Sequence, residues 1–127
     1  MLADLVFWVL FGATLAALAA ALATGLSRRR AWHVAAGPAA LVLLTATVLR
    51  TENLVSRYEF PEPAISIHLA LALVGAVLAG LSAVTGLLLA ANERWRPAHR
   101  IVVFSFTAVA LLATSTGIFA FASAVPR

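Results

Sequence analysis

Cysteine and lysine are absent from this 127-residue chain, and its one methionine is Met1. Without thiolates there is no disulfide, no cysteine-held metal and no covalent haem attachment through C-x-x-C-H. Without internal methionine the soft sulfur ligands that carry Cu(I) are also missing, which argues against direct copper hand-over. Acidic residues are scarce, five in all. None falls within an apolar run except Asp4, at an edge. A proton-coupled transporter usually needs an intramembrane carboxylate, so that class is disfavoured. The chain also lacks a nucleophile–base pair, a phosphate-cradling loop and paired carboxylates. It is not expected to be an enzyme.

What the chain has in quantity is apolar sequence, 63% of its residues, with a mean hydropathy of +1.01. Four runs, at 5–26, 31–49, 64–91 and 99–124, are each long enough to cross a hydrocarbon core about 30 Å thick. They are continuous rather than alternating, so helices are expected and not a barrel. The expected fold is all-α: an integral membrane four-helix bundle of two helical hairpins, one transmembrane domain over 1–127. The N-terminal run carries Asp4, lacks positive charge before it and is too long for a signal-peptide core, so it is expected to stay.

All nine basic residues are arginine, and the net charge is +4. Nucleic acid is not an expected partner, because the arginines cluster at the ends of the apolar runs. Arg28, Arg29 and Arg30 fill the connection 27–30, and Arg94, Arg96 and Arg100 lie in or just beyond 92–98. On the opposite side Arg50, Arg57 and Arg127 are offset by Asp4, Glu52, Glu59 and Glu62. The asymmetry predicts both termini outside and two arginine-rich turns inside. The outer loop is expected at 50–63, with Pro61 and Pro63 blocking helix until Ala64.

The two inner turns resemble each other. With His33 aligned on His99, Arg28 falls on Arg94 and Arg30 on Arg96, as a parallel repeat of two hairpins would place them. Small residues at four-residue spacing, Ala72, Ala76 and Gly80 on the third helix and Ala16, Ala20 and Thr24 on the first, predict faces of close helix approach. The threonines are expected to bond back to their own helices.

Ionisable side chains at membrane depth are costly and therefore candidates for function. His33 and His99 sit at inner helix ends of similar depth. Two imidazoles so placed suit six-coordinate haem, with Arg30, Arg96 and Arg100 near the propionates. The plain alternative is an interfacial histidine solvated by headgroups, and a third is partner docking. His68 lies one turn into the third helix from the outer side, too far from the other two to share a metal ion. It is a weak metal-ligand candidate, with Arg50 and Glu62 as the remaining polar residues of an outer site, or a structural histidine.

Several of these residues form a pattern: Arg30-x-x-His33 opening the second helix and Arg50 ending it, Ile67-His68-Leu69-x-Leu71-Ala72 in the third, His99-Arg100 opening the fourth and Thr116-Gly117 near its end. This pattern resembles domain of unknown function 420, the CtaM/YozB-like four-helix bacterial membrane proteins. Members often carry another histidine after the arginine that ends the second helix; Thr51 stands there in this chain. The resemblance implies a bacterial cytoplasmic-membrane assembly or accessory factor for a respiratory haem–copper oxidase. Its partners would be membrane lipid and an oxidase subunit; haem at the inner histidines rests on the helix positions, not on the resemblance. The other readings left open are a small structural subunit of a larger membrane complex, without cofactor, and a b-type haem electron carrier.

Overall fold

The structure is a computed structural model that describes residues 2–127, with side chains described from Leu5 onward. The side chain of Asp4, expected at the edge of the first span, lies outside the described residues. Four long helices dominate: α1 (Leu2–Leu26), α2 (Arg30–Val55), α3 (Glu62–Ala91) and α4 (Arg96–Ala122). All four contain segments long and apolar enough to cross a membrane, as in a multi-pass membrane protein. They form two compact units, 1–58 and 59–127, in which α1 packs on α2 and α3 on α4.

In the first hairpin, α1 ends in a tight turn. The Arg29 N–H donates to Thr24 O at 2.9 Å and the Arg28 N–H to Gly25 O at 3.2 Å. That pairing closes the helix end and requires a left-handed residue at Arg28, whose φ is 56°. In the second hairpin a short 3₁₀ turn (Glu93–Trp95) joins the helices, and Asn92 Oδ1 accepts from the Arg94 N–H at 3.0 Å. At the other end of this hairpin, strand β1 (Tyr58–Glu59) pairs with β2 (Val125–Pro126). There Phe60 and Phe121 lie 6.2 Å apart, centroid to centroid.

α2 runs on to Val55, six residues past the expected end of its apolar run, so the first part of the loop predicted at 50–63 is helix. Leu54, in that extension, is buried. Polar residues end a membrane span without ending a helix, and nothing in Thr51–Glu52–Asn53 breaks one. α3 starts at Glu62, not Ala64, because Pro63 falls in its first turn, where its missing N–H costs nothing. α2 continues unbroken through Pro38.

On α2 and α4 the buried positions repeat every seven residues, the spacing of a coiled-coil-like seam. α2 buries Ala40, Thr47 and Leu54, with His33 half-buried one heptad earlier; α4 buries Phe106 and Ala120, with His99 and Ala113 half-buried in register. The two sets are shifted by 66 positions, the offset that aligns His33 with His99. On the first helices a shift of 61 positions places buried Phe7 and Thr14 on half-buried His68 and buried Gly75. The repeat expected from the turns therefore extends along both helices of each hairpin.

The expected close-approach faces are corrected by this seam. α3 buries Ala64, Gly75, Ala79 and Thr85, whereas Ala76 and Gly80 are exposed, as are Ala16 and Ala20 on α1. A Cβ at Gly80 would meet nothing within 4 Å. In a membrane helix every face is apolar, so small residues occur off the seam as well as on it.

Candidate functional site: three histidines on three Thr-Gly steps

Each histidine is fixed by the facing helix of its own hairpin. His33 Nδ1 lies 2.8 Å from Ala21 O on α1. His68 Nδ1 lies 2.9 Å from Ala113 O on α4. A carbonyl oxygen only accepts, so in both rings Nδ1 carries a proton, and in the neutral imidazole the lone pair sits on Nε2. His99 reaches its neighbour through a hydroxyl, with Nδ1 3.0 Å from Thr85 Oγ1 on α3. Thr85 Oγ1 gives its own hydrogen to Leu81 O at 2.8 Å. It therefore accepts from His99, and the third ring has the same tautomer.

Glycine makes these bonds possible. A helical carbonyl already accepts from the N–H four residues on, and the Cβ of that later residue screens its second lone pair. Gly25 stands four residues after Ala21, and Gly117 four after Ala113. A Cβ on Gly25 would lie 3.1 Å from both Cε1 and Nδ1 of His33; one on Gly117 would lie 2.8 Å from Cε1 of His68 and 3.0 Å from its Nδ1. A Cβ on Gly86 would lie 3.3 Å from His99 Cε1. All three rings thus rest an edge on a bare backbone.

The residue before each of these glycines is threonine: Thr24-Gly25, Thr85-Gly86 and Thr116-Gly117. Thr24 Oγ1 also donates to Ala21 O at 3.1 Å, and Thr116 Oγ1 to Ala113 O at 3.1 Å. The chain holds three Thr-Gly steps and three histidines, and each step serves one histidine. That one-to-one count is a signal legible in the sequence. Thr85 and Thr47 bond back to their own helices as expected, and each also reaches across its hairpin, Thr85 to His99 and Thr47 Oγ1 to Thr14 Oγ1 at 2.8 Å.

The repeat explains two of the three. His33 and His99 occupy the same position in the first turn or two of α2 and α4, each held by the last turns of the preceding helix. His68 sits near the start of α3 and is held from α4; its counterpart in the first hairpin is Phe7, and that of Gly117 is Thr51.

The other predicted site residues have separate surroundings. Arg30 opens α2, and no ion pair reaches it among the described residues. Arg96 donates to Glu93 Oε1 at 3.0 Å, and the Arg100 guanidinium lies 5.7 Å from the Phe104 ring centroid. Glu62 accepts from Ser66 Oγ at 3.2 Å rather than pairing with His68. Arg50 lies on the outward extension of α2. Among the described residues no three His, Asp or Glu side chains gather as a metal site.

Comparison with protein families, with curated proteins and with solved structures finds no match to the chain.

Proposed function

We propose that this protein is an accessory or assembly factor of a respiratory haem–copper oxidase in a bacterial cytoplasmic membrane, and that His33 and His99 serve as haem ligands through Nε2. The accessory role draws on the sequence resemblance. The observation that carries the ligand role is the shared tautomer. An imidazole that ligates a metal usually donates its other N–H to a carbonyl or similar acceptor, which orients the ring and raises its basicity. His33 and His99 both have that arrangement. Each imidazole therefore has the donor chemistry that haem iron takes, and Arg30, Arg96 and Arg100 are the cations close in sequence for propionates. Bound haem would supply the redox-active iron; the chain orients the imidazoles and holds their protons on Nδ1. No catalytic residue is assigned. His68, with the same hydrogen bond and no carboxylate bonded to it among the described residues, is assigned a packing role.

The test is the absorption spectrum of the purified protein after incubation with haem. A Soret band that weakens in His33→Ala and His99→Ala and persists in His68→Ala supports the reading. A protein that takes up no haem, in cells whose oxidase assembles normally after its deletion, overturns it.

One observation favours a second reading, a structural subunit without cofactor. Ala76 and Gly80, one turn apart on α3, lie off the α3–α4 seam with Leu73 and Leu87 exposed nearby. Such a strip admits a neighbouring helix. Co-purification of a stoichiometric membrane partner, lost in Gly80→Leu, would favour that reading over the first.

A further inference from the structure

We infer that the 27–30 turn is a binding site for an anionic phospholipid headgroup. Its three arginines are exposed, and none has an ion-pair or ring partner among the described residues. Three adjacent guanidinium groups repel one another. Arg30 also opens α2, at the positive end of the helix, where cations are disfavoured. That first turn contains no acidic residue, and Arg29 at its start makes no side-chain cap.

The second hairpin provides an internal control. Its turn aligns with the first in the repeat, with Arg94 on Arg28 and Arg96 on Arg30. There the charge is answered from within: Arg96 bonds Glu93 at 3.0 Å, and the Arg94 guanidinium lies 5.9 Å from the Trp95 ring centroid. Glu93 has no counterpart in the first turn, where the sequence reads Ser27-Arg28-Arg29-Arg30. The second turn has an ion pair and a ring contact of its own and, among the described residues, the first has neither, so the charge of the first turn is left for a group outside the hairpin.

Position selects the source. The turn follows a helix of 25 residues, about 37 Å long at the usual rise, so it emerges at headgroup level. Trp32 stands two residues beyond Arg30 and is 68% exposed, the placement of a side chain that anchors at the membrane interface. Arginine meets a phosphate with two parallel N–H bonds, and a surface cluster of such residues gains affinity for anionic lipid with each charge. The geometry fits a phosphodiester at the membrane surface, as in phosphatidylglycerol.

The experiment uses the full chain in mild detergent, observed by native mass spectrometry while phosphatidylglycerol, phosphatidylcholine or inorganic phosphate is titrated. Retention of phosphatidylglycerol over phosphatidylcholine is expected, reduced roughly tenfold or more when Arg28, Arg29 and Arg30 are all changed to Gln, and nearly unchanged in R94Q/R96Q. Because removal of three positive charges can disturb insertion, the unaltered protein is also tested against salt. Its preference should fall steeply between low and high ionic strength. Equal retention of the two lipids, equal losses from both sets of variants, or a salt-independent preference each overturn the proposal. Displacement of the lipid by millimolar inorganic phosphate would overturn the lipid assignment in favour of a free-anion site.

Discussion

The imidazole of His68 lies on Gly117 so closely that a single added methyl group would come within 2.8 Å of Cε1 and 3.0 Å of Nδ1. The contact is what lets Nδ1 reach Ala113 O, one turn earlier on the same helix. Glycine here serves close approach, not backbone freedom, since no glycine in the described chain has a positive φ.

A graded series of alanine substitutions follows. Gly117→Ala must displace the ring and break its bond to Ala113 O, and a destabilisation of about 1–3 kcal/mol is expected. Gly25→Ala, at 3.1 Å from His33, should cost less, and Gly86→Ala, at 3.3 Å from His99, less again. Gly80→Ala meets nothing within 4 Å and should be neutral or slightly stabilising, because alanine is the better helix former. Thermal unfolding in detergent, followed by helical circular dichroism, ranks the four. A flat series would show that the rings are not held as described.

The Thr14–Thr47 contact joins α1 to α2 at the centre of the first seam. Each hydroxyl also lies 2.8 Å from a carbonyl of its own helix, Leu10 O for Thr14 and Leu43 O for Thr47. Two hydrogens serve three contacts, so the cross-helix bond displaces one intrahelical bond whenever it forms. Its net worth is therefore small. A double-mutant cycle of Thr14→Val and Thr47→Val should give a coupling of about 0.6 kcal/mol, the usual size for polar pairs between membrane helices.

The helices were legible from hydropathy because continuous apolar runs have one solution in lipid. Their packing faces were not. Ala76 and Gly80 carry the same small-residue spacing as a true seam, and only the structure shows Gly75 and Ala79 in that role. In water the polar face of a helix marks the buried one by contrast; α3 has no polar face to supply the contrast. The histidines stood out by their cost, but their partners did not. Ala21 and Ala113 contribute only backbone oxygens, which every residue possesses. Arg50 to Asn53 read as loop because polarity marks the membrane boundary, whereas the helix ends where Leu54 has been buried.

The ion pair between Arg127 and Glu59 is expected to contribute almost nothing. Its 3.9 Å separation is long, and the two side chains are 60% and 74% exposed. Exposed pairs of this kind are screened and entropically costly. Arg127→Gln should change the unfolding free energy by less than about 0.5 kcal/mol, and a high-salt control should narrow the difference further.

Arg28 holds a left-handed conformation that glycine adopts without cost. Arg28→Gly should therefore stabilise the first hairpin by about 1 kcal/mol, measured as a rise in its unfolding midpoint. The same substitution should weaken the preference for anionic lipid. A variant that becomes more stable while binding less would show that the arginine is kept for its charge and not for the turn.

The Nδ1 of His99 meets the Thr85 hydroxyl at 3.0 Å, which makes Thr85 an incisive position to alter. Thr85→Val keeps the side-chain shape and removes the acceptor for Nδ1–H. With that hydrogen bond lost, at a cost of about 1 kcal/mol, the proton should move to Nε2, the nitrogen that carries it preferentially in water. Imidazole ¹⁵N spectra should show a protonated Nδ1 and an unprotonated Nε2 for all three histidines in the unaltered protein. In the variant this assignment should reverse for His99 alone, because His33 and His68 bond to backbone oxygens that Thr85→Val does not touch. A protonated Nε2 has no lone pair to offer iron. If His99 is a haem ligand, the Soret intensity should therefore fall in Thr85→Val nearly as far as in His99→Ala. A reversed tautomer with undiminished haem uptake would remove His99 from the ligand set while leaving its packing role intact.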